Sequence, residues 1–529
     1  MTESPPASSS LLLLALKGGV LALISAAFAY LVSEKAKMGV VPGCIVGGAI
    51  FGIGLFALVK LAGAPRGLWI TFGLKMVIVT AYKLLNVVIT GWAIKDLHLN
   101  DAQSQWVFAI WGTFIMVATL ISGSLTDALG MRRTLMLGLI LSVVFRSVMF
   151  ASTNVWVALL FGMLPAAIGE AFCTPVLVAA TRKFTTPEQR SVAFSIFYAI
   201  MNAGFLIAYF FRDSAFSALP PDQNGMVSFA GMPFSQERVL ILVSIALELF
   251  MVPLLLLMRA DKVESATDAT GIPEKGFLGK LGATMSNTAR DTGRQLMVLV
   301  RHPGFARLLT FLALIGLLKI VFGTMDSVLP TFAEREIGPE GRDRVGRFNA
   351  VNSILILVLA PLIGVLTRKR SAFSMVIFGG IVTAASFVFM SLPGRMFTDL
   401  ADGWLGDVVG HRYLNLSGVV HPYIVMIVLW QVVFSIGEAL YSPRVYEYAA
   451  SIAPKGQEAS FAALSYIPLL MGKLANGALF AGMMEHYCPA TGPRDPGGMW
   501  MIVGLLVLMA PLLLLLLRPF IRMKEEGKE

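Results

Sequence analysis

Residues 168–178 read IGEAFCTPVLV and residues 436–446 read IGEALYSPRVY, so one phrase is written twice in the chain. Glu170 and Glu438 stand 268 residues apart, and the same spacing joins Pro175 to Pro443, Tyr198 to Tyr466 and Gly204 to Gly472. Both copies lie in apolar stretches, where a glutamate is costly and a chance recurrence in one frame is rare. Two apolar segments and the loop between them are duplicated, which predicts two similar halves following one another in the same orientation.

The surroundings of the repeat decide the medium. Of 529 residues, 56% are hydrophobic and only 14% charged, with a mean hydropathy of +0.76. Soluble domains carry roughly a quarter charged residues and could not hide so much apolar surface. A spanning helix needs about 20 mostly apolar residues, because lipid offers the backbone no hydrogen-bond partners. Fourteen segments qualify: 11–32, 39–62, 69–91, 105–124, 134–151, 155–177, 192–211, 239–258, 305–325, 349–367, 372–392, 422–441, 459–483 and 499–517. The chain is expected to be an all-α polytopic membrane protein. About 23 Lys and Arg fall in loops on one face and about 12 on the other, with seven inside helices. The positive-inside rule assigns the rich face to the cytoplasm, and with it both termini of a multi-pass protein of the cell or inner membrane. The first loop, with Lys35 and Lys37, runs against that bias.

That sorting absorbs the net charge of +10, so the bilayer is the expected partner and nucleic acid is not. Cys44, Cys173 and Cys488 show neither disulfide nor zinc spacing, and no Gly-rich phosphate loop or nucleophile motif occurs. No cofactor, no metal and no enzyme activity are expected. Glu3 and Lys17 speak against a cleaved leader at the N-terminus.

The organisation follows. Residues 1–68 hold a tail and two additional helices, 69–258 a first six-helix bundle, 259–303 a linker, 304–518 a second bundle and 519–529 a cytoplasmic tail. Gly43, Gly47, Gly48 and Gly52 recur at a spacing that lets a neighbouring helix approach closely. The polar linker, with Lys280, Arg290 and Arg294 among apolar residues, is expected to lie partly as an amphipathic helix on the inner membrane surface.

Charges at bilayer depth pair with one another or line a wet pathway. The predicted spans contain Lys75, Lys83, Arg146, Lys319 and Lys473 against Glu170, Glu248 and Glu438. Arg146 and Glu248 are expected to form a structural ion pair. Lys75, Tyr82 and Asn86 share one helical stripe with Lys83 beside it, and that stripe is expected to face a central cavity between the halves, with snorkelling of Lys75 to the cytoplasmic headgroups as the alternative. Lys319 and Lys473 either pair with Glu170 or Glu438 or attract an anionic group on a substrate. Glu438 is the leading candidate for a proton or an amine.

The loop GSLTDALGMRR, residues 123–133, resembles the loop of major facilitator proteins. The resemblance implies the major facilitator fold, two six-helix bundles, here with two extra N-terminal transmembrane helices. It also implies a conformational latch of Gly123, Asp127, Gly130, Arg132 and Arg133, with Asp127 accepting from a nearby helix N-terminus. FSIFYAIMNAG, residues 194–204, and FSIGEALYSP, residues 434–443, are similar to segments of the proton-dependent oligopeptide transporter family. That likeness implies a proton-coupled symporter of peptides, with Tyr198, Asn202 and Tyr466 among its site residues and Glu438 meeting the peptide amino group. Three features depart from it: the first body helix reads GLKMVIVTAYK in place of an ExxER element, Thr174 replaces a lysine, and the additional helix pair is N-terminal.

The expected function is secondary transport of a small solute by alternating access, peptide-like or amino-acid-like. An exchanger of organic anions, metabolites or drugs is the alternative, and a scaffold or sensor without transport is a third, since a fold does not fix a function.

Overall fold

The computed structural model describes residues 40–61, 63–222, 225–229, 231–258, 305–367, 370–451 and 467–522, with isolated positions between 18 and 34. The expected linker helix and most of the first span lie outside the described residues.

Long apolar helices follow one another. They are α1 (Val40–Lys60), α2 (Arg66–Asn86, continued by Ile89–Lys95), α3 (Asp101–Leu129), α4 (Met131–Ala151) and α5 (Leu164–Lys183). Then come α6 (Pro187–Ala218), α7 (Gln236–Leu249, continued by Met251–Leu257), α8 (Phe305–Gly323) and α9 (Val345–Leu366). The last are α10 (Ala372–Ser386), α11 (Pro422–Ser451), α12 (Ile467–Tyr487) and α13 (Pro496–Leu516). Eight helical stretches among the described residues are long and apolar enough to cross a membrane. The chain is an integral, multi-pass membrane protein.

Local chemistry sets the boundaries. Thr186 and Gln189 form a capping box in front of α6, which starts on Pro187, and Asn154 accepts two backbone N–H groups ahead of the helix that leads into α5. Gly130, at φ +80, breaks α3 from α4 where a side chain would be strained. A short antiparallel hairpin, Val227–Phe229 with Met232–Phe234, is the one departure from an all-helical chain among the described residues.

Several helix ends lie beyond the sequence-based spans, as where α11 runs to Ser451 instead of residue 441, and two of them bear on the meeting of the halves. The segment expected to stop at residue 325 continues through a π-turn, Thr324–Val328, and a further helix, Leu329–Glu336. The segment expected to stop at residue 211 continues to Ala218. Each extension carries a buried carboxylate that hydropathy assigned to an interface.

The repeat is visible in three dimensions. A Cβ on Gly169 would lie 2.7 Å from Gly138 O, and one on Gly437 would lie 2.9 Å from Gly379 O, so α4 crosses α5 as α10 crosses α11. The halves meet where α3 packs on α12 and α6 on α9, while α1 touches both α6 and α9. Of the glycine stripe on α1, Gly43 and Gly47 face residues 25–33 closely, whereas Gly48 and Gly52 face open space.

Candidate functional site

The seam between the halves is built from polar side chains on helices that are otherwise oily. Lys83 on α2 places its Nζ 2.7 Å from Asp326 Oδ2 and 2.8 Å from Oδ1, both residues buried. Asn86, one turn on, donates to the same Oδ2 at 2.7 Å, and the Tyr209 hydroxyl of α6 lies 3.5 Å from Oδ1. The ammonium also rests near the rings of Phe205 and Tyr209. Asp326 thus joins α2 and α6 of one half to the π-turn of the other. Beside it Asn476 of α12 donates to Ser327 Oγ, and Gln105 of α3 donates to Ser327 O. A wider turn displaces backbone groups from the regular helical ladder, and polar neighbours take them up.

Asp326 was not among the residues singled out from the sequence, because TMDSV looks like the end of a span. The four polar or turn-forming residues among 323–327, Gly323, Thr324, Asp326 and Ser327, and the unpaired lysine on α2 were the available signals. Asp213 was missed for the same reason. Its carboxylate accepts the backbone N–H groups of Gly346 at 2.8 Å and Arg347 at 2.6 Å, capping the start of α9 from the other half. A Cβ on Gly346 would also stand 2.6 Å from Asp213 Oδ1, so only glycine permits this approach. Arg212 donates to Asp213 and to Arg342 O, and Arg335 pairs with Asp101 across the same end.

Deeper in the second half, Glu438 accepts from Asn352 Nδ2 at 2.7 Å. Lys319 donates to Ser442 Oγ at 2.8 Å and sits against the rings of Phe322 and Tyr441. Gly472 packs on the Lys319 backbone, which sets Lys473 beside it on the neighbouring helix. The Lys473 ammonium lies 3.8 Å from the centre of the Phe108 ring, and that of Lys75 lies 4.5 Å from the Phe197 ring. Neither lysine, nor Lys319, forms an ion pair among the described residues. Cations resting on ring faces in this way are held without being neutralised.

Glu170 is placed differently from the expectation that it meets Lys319 or Lys473. Arg146, fully buried, pairs with Glu170 and also with Glu248 at 2.9 Å, and Ser142 Oγ lies 2.9 Å from Glu248 and 3.4 Å from Glu170. The pair foreseen for Arg146 is a triad inside the first half. Tyr82 is partly buried beside the seam, and Asn202 donates to Tyr198 O one turn earlier on α6. Tyr466 lies outside the described residues, as do the side chains of Gly123 and Asp127 in the expected latch; Arg132 is half-buried and Arg133 exposed at the start of α4.

Beyond the end of α2, Asp96 accepts from Ser235 Oγ at 2.5 Å. Burial pushes its carboxyl up to about 6, against the pull of that hydrogen bond.

Helices repeated in two halves with charged groups in the seam define a membrane carrier. Residues 71–405 match the Major Facilitator Superfamily model, and the chain belongs to that superfamily. Its fold is that of solved peptide transporters. One, the peptide transporter POT in complex with sulfate, superposes at a TM-score of 0.64 with 16% identity over 87% of this chain and 96% of that one. A POT family transporter in complex with 5-aminolevulinic acid gives 0.62 and 17% over 87% and 98%. A bacterial homologue of the human drug peptide transporters PepT1 and PepT2 gives 0.60 and 16% over 86% and 98%. Membership and fold together support a secondary transporter.

Proposed function

We propose that the chain carries a small amino-acid-like or peptide solute by alternating access, coupled to protons, with residues 69–258 rocking against residues 304–518. Fourteen spans with both termini in the cytoplasm, and a latch around Asp127, belong to the same proposal. The observation that carries it is the Lys83–Asp326 pair. Buried opposite charges contributed by different halves cost more in desolvation than packed apolar groups would, and their best-attested use is as a register or switch.

Chemistry along the seam supports the solute class. Glu438 with Asn352 offers acceptors to an ammonium group, while Lys319, Lys473 and Lys75 offer charge to a carboxylate or phosphate. Peptides and 5-aminolevulinic acid each carry both kinds of group. Asp213, Arg335 and Asp326 tie the halves at the end the charge bias assigns to the outside, so the arrangement is the outward-closed one.

The lysines without carboxylate partners favour a second reading, an organic-anion exchanger. Uptake into proteoliposomes of a mixed panel of dipeptides and organic anions, with and without a pH gradient, separates the two. Accumulation of dipeptides driven by the gradient supports the first, and gradient-independent anion exchange supports the second. Folded protein that moves none of the panel would leave a scaffold or sensor.

A further inference from the structure

The triad in the first half has the wrong number of charges for a salt bridge. Arg146 brings one cation, Glu170 and Glu248 bring two carboxyls, and all three side chains are buried at 0%, 5% and 3% exposure. With both acids ionised the cluster would hold an uncompensated negative charge in a medium where even a paired charge is costly.

The hydrogens present also fail to reach every acceptor, since Arg146 Nε is itself buried without a partner. Both Glu170 Oε1 and Glu248 Oε1 converge on Arg146 Nη2 and on the Ser142 hydroxyl. One hydroxyl has one hydrogen, so it serves one carboxylate and presents a lone pair to the other. Glu248 Oε2, meanwhile, is buried with no hydrogen-bond partner, and an ionised oxygen left so is among the costliest groups a protein can bury. A single added proton removes both faults, because a carboxyl O–H can donate to Ser142 or to its acidic neighbour.

Among the described residues, the neighbouring elements supply no substitute. Cys173 of α5, with Lys75 of α2 near it, is the other titratable group facing this cluster among the described residues. The Lys75 ammonium rests on the Phe197 ring and forms no ion pair with either acid. Residues 102–126 of α3 contain no titratable side chain, and α7 contributes only Glu248 at this depth.

We propose that Glu170 and Glu248 hold one proton between them, making the cluster around Arg146 a proton-binding site in the first half, apart from the seam. Two carboxyls forced together share a proton in this manner, and the proton belongs to the pair rather than to either residue. As the carrier of the coupling proton, the site rests on the transport reading above. Helices α4, α5 and α7 contribute Arg146, Glu170 and Glu248 in turn, so movement between α5 and α7 changes the spacing of the acids and with it the hold on the proton.

Infrared difference spectroscopy of the full-length protein in lipid vesicles reads the proton directly. At neutral pH the protein should show a protonated-carboxyl C=O band that disappears in Glu248→Gln and in Glu170→Gln and shifts in Ser142→Ala, which retains both acids and serves if either glutamine variant folds poorly. No such band at neutral pH, or one unchanged by all three substitutions, overturns the proposal. The readout needs neither solute nor gradient, so its failure is separable from a failure of the transport reading.

Discussion

Glu170 and Glu438 occupy equivalent places in the two halves and live in different surroundings. Each follows a glycine that lets its helix cross a partner at backbone contact, Gly169 over Gly138 and Gly437 over Gly379. From that crossing a constant step of 241 residues relates Gly138 to Gly379, Ser142 to Thr383 and Arg146 to Phe387. Where the first half has a guanidinium the second has a benzyl ring, packed against Trp430 and Trp500. One acid is therefore locked inside its own bundle, and the other is left to Asn352 near a lysine at the seam. A duplicated scaffold has kept both carboxyls and divided their surroundings: the first half pairs its acid with a cation inside the bundle, and the second leaves its acid at the seam, where the proposed transport would present it to a solute.

Breaking the locked half should give the largest effect. Arg146→Met leaves two buried acids without their cation and should cost ~3–5 kcal/mol of stability, read as a large fall in the thermal unfolding midpoint. The matching change in the other half, Phe387→Leu, should cost no more than an ordinary core substitution.

Asp96, also in the first half, sharpens the contrast through pH. Because its folded-state carboxyl is raised to about 6, the folded chain holds that proton more tightly than the unfolded chain does. The resulting stability is fully present below the ordinary carboxylate range and is lost as pH rises through about 6, a change on the order of 2–3 kcal/mol. Unfolding midpoints measured from pH 4 to 7 should fall in the parent protein, and Asp96→Asn should flatten that slope while leaving uptake unchanged.

At the seam, the effects should appear in transport and conformation more than in stability. Glu438→Gln removes a charge-assisted contact worth about 1.5–3 kcal/mol, so uptake of amine-bearing solutes should fall roughly ten- to hundredfold with the unfolding midpoint nearly constant. Asp326→Asn strands Lys83 in the seam and should lower the unfolding midpoint, though by less than Arg146→Met, which strands two acids, together with a few-fold shift toward the outward-open state. Spin labels at Met232 and Val419, both exposed at 55% and 86%, would report it as a longer distance between the halves.

Much of this was legible in the sequence. Helix positions followed from apolar runs of bilayer length, and the two-half plan followed from the doubled IGEA phrase. Glu438, Lys83 and Lys473 stood out because each is a charge in oil. What escaped was set by contacts between distant segments. Asp326 and Asp213 sit where polar residues make a span look finished, and their partners, Lys83 and the N-terminus of α9, come from distant parts of the chain. The fate of Glu170 was equally hidden. Its own helix reads like that of Glu438, and the residue that separates them, Arg146, lies on a third helix whose repeat has diverged.

The most direct test of this division compares Glu170→Gln with Glu438→Gln in proteoliposomes, measuring downhill uptake of a dipeptide and its acceleration by an inward proton gradient. Glu438→Gln should lose downhill uptake, whereas Glu170→Gln should keep it and lose only the response to the gradient. Equal losses in both variants, or undiminished uptake in Glu438→Gln, would contradict the account.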